Sequence, residues 1–258
     1  MFSNTTQIRT NENTFQLITW LSMEAVDLIR SFQRYFPNET LIIYNIGLTS
    51  DELQFLKSNE AISSSLVQIE SFDFSKYPDY VANLNEYRWK PLIIAEVLTR
   101  YDSIWWMDSS IRWTGANLSS FYHSMKTKQL YAHVSVSCGT GHSIFAATNP
   151  LMYNYLPVLV DTKTTEMYGA TCQVIFATAD VKTNIIKWLV LCALEKNCLA
   201  FKFELWCQWG PRQDRFSNYG HCHRYDQSAL SILLANRNAY NALHYCSSEP
   251  PLYIERHL

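Results

Sequence analysis

Residues 86–113, EYRWKPLIIAEVLTRYDSIWWMDSSIRW, constrain the fold of this chain more than any other stretch. Pro91 suits the first turn of a helix, where a missing N–H leaves no bond unmade. Leu92, Ile93, Ala95, Val97 and Leu98 follow with few polar interruptions, so this helix is expected to be covered on most faces. After a polar break at Arg100, Tyr101, Asp102 and Ser103 comes Ile104-Trp105-Trp106-Met107, a short apolar run that suits a central strand buried on both faces. Trp105 and Trp106 then point to opposite faces and belong first to the core. Asp108-Ser109-Ser110 stands where the strand ends. Ligands of open α/β sheets bind outside the carboxyl ends of the strands, so Asp108 is a site candidate on position alone.

The rest of the chain sets bounds on this reading. Its 258 residues and 48% hydrophobic content suffice for a large core. A net charge of −2 with acids and bases interspersed excludes the basic footprint of a nucleic-acid binder. No run reaches the roughly 18 apolar residues of a spanning helix, and the polar start MFSNTTQIRTNENTF lacks a signal-peptide core. Seven cysteines, none in a CxxC pair, exclude zinc-ribbon spacing. Five fall within 192–246. They fit up to three disulfides and one free thiol in an oxidising compartment; the alternative is seven reduced, mostly buried thiols.

Taken in order, residues 1–15 read as a polar lead-in with a short strand at 7–10. Residues 20–35 carry apolar positions at helical spacing. A buried strand follows at 41–44, and Thr49 with Glu52 forms a capping box for a helix to Ser58. A second strand falls at 66–69 and an aromatic loop at 71–84. Strands alternating with helices predict a parallel, right-handed α/β sheet. Beyond Asp108 come a short helix at 117–126 and a strand at 130–136. The CGTGH turn at 138–142 is no P-loop. Another strand spans 172–178, a helix that Asp180 caps runs to Glu195, and a long aromatic and basic loop occupies 201–219. The last helix spans 225–235, and a short strand falls at 243–246.

Several segments carry a family resemblance: WKPLIIAEVLTRYDSIWWMDSSIRW, EMYGATCQVIFAT, WLVLCALEKNC and HRYDQSAL. Together they resemble an uncharacterised, invertebrate-expanded family related to GT-A-type nucleotide-sugar glycosyltransferases, over roughly residues 35–245. The resemblance implies one α/β domain over 1–258, GT-A-like, with a mixed and mainly parallel sheet flanked by helices. It also implies that a strand before Trp20, which would help to hold the nucleotide base, is absent or lies in the lead-in. The GT-A hallmark is Asp-x-Asp, which holds a divalent cation against the donor diphosphate; this chain has Asp108-Ser109-Ser110 instead. Asp108 supplies one carboxylate and Ser110 only an uncharged hydroxyl. Mg²⁺ and Mn²⁺ favour oxygen ligands shared with phosphates and water. The cation is therefore held mainly by phosphate, completed by a further residue, or not used. By resemblance that further metal ligand is late in the chain, at His244, with His221 and His223 as the other candidates.

The resemblance also assigns donor-binding roles to Lys90 and Arg88. A cation facing a diphosphate stabilises the charge that builds on the leaving nucleotide. The alternative is a pair of solvated bases, but at a helix start they oppose the dipole. Asp226, in HRYDQSAL, is either a helix cap or the catalytic base that takes the proton of the attacking hydroxyl. Glu166, at the mouth of a later strand, is the competing base. The implied activity is transfer of a sugar from a nucleotide-diphosphate donor to a glycan or glycoprotein hydroxyl. The implied place is the Golgi or endoplasmic reticulum lumen, or outside the cell, with membrane contact only through an anchor that these residues do not contain. The alternative is a non-catalytic glycan- or nucleotide-binding descendant, motivated by the missing second aspartate. A hydrolase of the GxSxG type is not supported, because no such elbow is present.

Overall fold

The structure is a computed structural model; it describes residues 14–19, 22–62, 64–127, 129–136, 139–158, 162–201 and 205–255, with side chains from Glu24 onward. The strand expected at 7–10 lies outside these residues, as does Cys138.

The elements in order are β1 (Thr14–Thr19), α1 (Ser22–Tyr35), β2 (Leu41–Asn45), α2 (Ser50–Ser58), β3 (Val67–Ser71), α3 (Trp89–Val97), β4 (Ser103–Asp108), β5 (Ile111–Trp113), α4 (Ser119–Lys126), β6 (His133–Val136) and β7 (Cys172–Phe176). Then α5 (Ala179–Val181) continues through a π-helical stretch, Lys182–Ile186, into α6 (Lys187–Leu194). The chain closes with α7 (Tyr225–Arg237), β8 (Cys246–Ser247) and β9 (Leu252–Ile254).

The main sheet has the order β3-β2-β1-β4-β7-β6-β8, and β5 pairs with β9 beside it. β1, β2, β3 and β4 are parallel. β7 runs antiparallel to both β4 and β6, and β6 is parallel to β8. The fold is the expected mixed, mainly parallel α/β sheet. The chain winds outward through β1, β2 and β3, then returns to place β4 on the other side of β1. The order therefore reverses between β1 and β4, where open α/β sheets form a ligand crevice. Thr14–Thr19, which the periodicity reading divided between the lead-in and unassigned residues, supplies the central strand of this half.

Alternation along the strands sorts side chains into two cores. Ile42, Tyr44, Ile104 and Trp106 pack with α3, α6 and α7 on one face. Leu41, Ile43, Trp105 and Met107 pack with α1 and α4 on the other. The two tryptophans thus serve opposite faces, as expected. The capping box also forms: Thr49 Oγ1 accepts from the Glu52 N–H at 3.3 Å, and the Glu52 carboxylate accepts from the Thr49 N–H at 2.8 Å. Two expected details shift. Pro91 occupies the third helical position, still inside the turn that lacks backbone acceptors. Thr178, not Asp180, caps the helix that follows β7, accepting from the Val181 N–H, while Asp180 pairs with Arg237 at 2.9 Å.

Disulfides join Cys192 to Cys198 and Cys207 to Cys222. Cys246 is also disulfide-bonded, and Cys172 is a buried free thiol. Among the described residues no helix is long and apolar enough to cross a membrane.

Candidate active site

In a right-handed β-α-β crossover the helix starts beside the carboxyl ends of the strands. α3 follows that path, so Lys90, in its first turn, sits beside the end of β4. The Lys90 ammonium lies 3.0 Å from Asp108 Oδ1 and 3.2 Å from Oδ2. The same ammonium lies 3.1 Å from Asp226 Oδ2, in the first turn of α7. Three residues far apart in sequence, Lys90, Asp108 and Asp226, are thus brought together at the crevice between β1 and β4.

Each position has a local cause. Asp108 is where apolar β4 runs out, and Ile18 of β1 pairs with it. Trp106 lies two residues earlier on the same face, and its Nε1 donates to Asp108 Oδ1 at 3.2 Å, which orients the carboxylate. Asp226 does not cap α7; the cap position is Arg224, and the Asp226 carboxylate turns to Lys90. Both helices are entered through a tyrosine in the left-handed region, Tyr87 at φ 55° and Tyr225 at φ 43°. Such backbone costs of order 1–3 kcal/mol per residue and clusters at functional sites. The two rings lie 5.9 Å apart, and Lys90 Nζ stands 5.6 Å from the Tyr87 ring centre.

The electrostatics follow from one buried cation facing two carboxylates. Lys90 is 5% exposed; burial works against its charge, but Asp108 and Asp226 prevail and hold it above the ordinary lysine value. Asp108 is pushed up, first by burial and then by Asp226, against the pull of Lys90. Its side chain nonetheless keeps 31% of its surface open, and that of Asp226 keeps 11%. Asp226 Oδ2 is buried and makes no aligned hydrogen bond, although the ammonium is within ion-pair distance. Burial and the charge of Asp226 also raise Tyr87, so its hydroxyl stays protonated.

The other candidates lie elsewhere. The Arg88 guanidinium is buried against the end of α6, donating to the carbonyls of Ala193, Glu195 and Lys196 at 2.9, 3.0 and 2.7 Å. The guanidinium thus latches the carboxyl end of α6 to the start of α3. Ser110 is buried, and its carbonyl accepts from the Glu255 N–H; the hydroxyl between it and Asp108, Ser109 Oγ, donates to Glu24. Glu166 accepts from the Gly141 N–H at 2.9 Å and so braces the turn around Gly139 and Gly141.

The structure does not bring His244 to Asp108. The His244 carbonyl accepts from the N–H of Tyr131, just before β6, and His133, where β6 begins, is level with Ile175 and Ile104. That is the far end of the sheet, about 13 Å along the strand direction from Asp108. There His244 stacks on Tyr131 with ring centres 4.4 Å apart. His223 uses both nitrogens, one accepting from the Asn149 N–H and the other donating to the Leu199 carbonyl; burial pushes it down to about 4. His221 is exposed on the loop before α7.

These side chains also answer whether a divalent cation fits. Both Asp108 oxygens face an ammonium that already bridges to the second carboxylate. Among the described residues no three His, Cys, Asp or Glu side chains group as a metal site. The protein groups present do not fit a cation held by side chains alone.

Tyr87 and Arg224 were not singled out from the sequence, which assigned Trp106 to the core alone. Trp106 was within reach of it, because period-two alternation puts Trp106 and Asp108 on one face.

The fold finds counterparts among solved structures. The chain superposes on the galactosyltransferase LgtC, crystallised with donor and acceptor sugar analogs, with a TM-score of 0.50 over 95% of this chain and 87% of that one, at 8% identity. Mouse xyloside xylosyltransferase 1, in its apo form, gives a TM-score of 0.50 over 95% and 98% of the two chains, also at 8% identity. The fold is therefore of the GT-A glycosyltransferase type. A family model described as "Protein of unknown function (DUF1647)" matches residues 4–95. No curated protein matches the sequence.

Proposed function

We propose that the protein is a glycosyltransferase that moves a sugar from a nucleotide-diphosphate donor to a hydroxyl of a glycan or glycoprotein. One observation carries the reading: the Lys90 ammonium, held between Asp108 and Asp226, stands at the switch point of a fold that glycosyltransferases share. In the proposed reaction the bond from the sugar's anomeric carbon to the diphosphate breaks, and a bond to the acceptor oxygen forms. Lys90 faces the departing diphosphate and stabilises the charge it gains. Asp226 accepts the proton of the acceptor hydroxyl. Asp108, the more open carboxylate, engages the donor. The disulfides support a place in an oxidising compartment such as the Golgi or endoplasmic reticulum lumen.

The test is thermal stabilisation against a panel of nucleotides and nucleotide sugars, each with Mn²⁺ and with a chelator. A ligand at a hundred times its dissociation constant stabilises by about 2.7 kcal/mol. The expected result is a specific shift that Asp108→Ala abolishes without unfolding the protein, followed by donor turnover. Binding without turnover would support the non-catalytic descendant instead. No shift with any nucleotide sugar at millimolar concentration would sink the transferase and leave only a glycan-binding descendant.

A further inference from the structure

The triplet Asn-x-Ser/Thr, with no proline in the middle place, occurs at Asn4, Asn38 and Asn117. It is the acceptor for N-linked glycan in the secretory pathway. Such a triplet recurs by chance, so its surroundings decide whether it is a site. Asn4 lies outside the described residues; the surroundings of the other two are defined.

Asn38 is exposed in the turn between α1 and β2, and Thr40, which supplies the hydroxyl of its triplet, is partly exposed. Asn117 is exposed in the loop before α4, and Ser119 is exposed at the first position of that helix. Asn117 Oδ1 accepts from the Ser119 N–H at 3.0 Å. That bond holds the asparagine against the serine and uses the amide oxygen, so the amide nitrogen, the atom that takes the sugar, is not spent on it. Buried Asn149 and Asn238 belong to no such triplet.

The two sites share one side of the molecule. Ser31 Oγ accepts from the Trp113 N–H at 3.3 Å, and the Phe36 ring meets the Trp113 ring edge-on with centres 4.7 Å apart, so the end of α1 is fastened to β5. Asn38 follows Phe36, and Asn117 follows Trp113, by at most about 7 and 14 Å of chain. This side is remote from the candidate active site. The chain leaves Asn38 and enters β2 at Leu41, which is level with Phe15 and so with Trp105. Trp105 is about 10 Å short of Asp108 along the strand, and Leu41 is reached from the amino ends of the strands. α1 and α4 also cover the sheet face opposite α3 and α7, which carry Lys90 and Asp226. Bulky groups on Asn38 and Asn117 therefore leave the crevice open.

We propose that Asn38 and Asn117 are N-glycosylated in the lumen of the endoplasmic reticulum. In that step the amide nitrogen bonds to the anomeric carbon of an oligosaccharide and gives up one proton. The bond from that carbon to a lipid diphosphate breaks, and the diphosphate leaves with the electron pair. The co-reactant is thus a lipid-diphosphate-linked oligosaccharide, and the cell's own transferase does the work. The proposal rests on the luminal place that the disulfides support, and not on sugar transfer by this protein.

The test is site mapping on the full-length protein, immunoprecipitated from the cells that make it. Peptide-N-glycosidase in heavy-oxygen water turns each glycosylated asparagine into an aspartate that carries the heavy atom, which mass spectrometry of the peptides reads. Conversion is expected at both Asn38 and Asn117. Thr40→Val and Ser119→Ala, made in the same cells, keep the asparagine and remove the hydroxyl; each is expected to abolish conversion at its own site and not at the other. An unmodified Asn38 or Asn117 in the unsubstituted protein, or conversion that persists after the hydroxyl is removed, would overturn the proposal. No nucleotide enters this experiment, so failure here and failure of the nucleotide panel are separate results.

Discussion

Lys90 is the residue on which the candidate site balances. It places a cation in the first turn of a helix, where the dipole disfavours one, and it lies there because two carboxylates hold it. Lys90→Met leaves Asp108 and Asp226 together without a counter-charge, and stranding buried charge of this kind costs roughly 3 kcal/mol. The expected outcome is a lowered melting temperature at neutral pH that partly recovers on acidification, as Asp108 takes up a proton. Asp108→Asn should do the opposite. The folded state raises the proton affinity of Asp108 above its ordinary value of 3.8. Its ionisation therefore penalises folding, and the penalty sets in as pH rises from that value through the raised one. The variant should match or exceed the wild type in melting temperature at pH 7, and the difference should shrink as pH falls through the carboxylate range. Donor binding should be lost throughout. Stability that rises while binding vanishes marks a residue kept for function. A drop in stability at pH 7 would show Asp108 to be part of the scaffold instead. At this scale the sequence was informative where charge met an element end: Lys90 opens a covered helix, and Asp108 closes a covered strand. It was silent on Tyr87, since a tyrosine carries no sign that its backbone is left-handed. His244 was chosen by the late position that the resemblance implies and by residue type, and neither holds information on register.

The elements show why some neighbours of the site were legible and others were not. Thr49 and Glu52 identified their helix because both halves of the capping box lie within four residues. Arg88 depends on where α6 ends, 105 residues further on at Ala193, and no local pattern reports that. The latch predicts its own test. Arg88→Met removes three bonds to carbonyls, of which that of Glu195 keeps the Cys198 N–H as a donor; bonds to a charged group are worth about 1.5–3 kcal/mol each before relaxation. A destabilisation of at least 2 kcal/mol is expected, with faster hydrogen exchange at the end of α6. Arg88→Lys should recover little of it, because an ammonium cannot present the planar fork. If Arg88→Met retains full stability but loses nucleotide binding, the donor role holds instead. The bridge between Cys207 and Cys222 closes a 15-residue span, for which loop entropy gives about 3 kcal/mol. Replacing both cysteines with serine should lower stability by up to that amount and loosen the loop in which Trp209 Nε1 donates to the Asn218 carbonyl, seen as a changed tryptophan emission maximum.

For the whole molecule, alternating strands and helices announced the parallel half of the sheet. The antiparallel insertion of β7 between β4 and β6 was not legible, because strand direction in the looser second half depends on pairing partners far apart in sequence. The short strand Thr14–Thr19 was obscured because only two residues separate it from α1. Yet it lies between β2 and β4, and that has a consequence for how the chain is made. Thr14 pairs with Ile104, ninety residues later. At roughly 5–20 residues per second, β1 waits on the order of 5–18 s after leaving the ribosome for its second neighbour. In that interval β1, β2 and β3 can already be joined, with one edge of β1 presenting unsatisfied N–H and C=O groups to any strand that arrives. Recovery from denaturant should therefore fall as protein concentration rises, while the assembled sheet, with β1 enclosed on both sides, is immune to the same encounter.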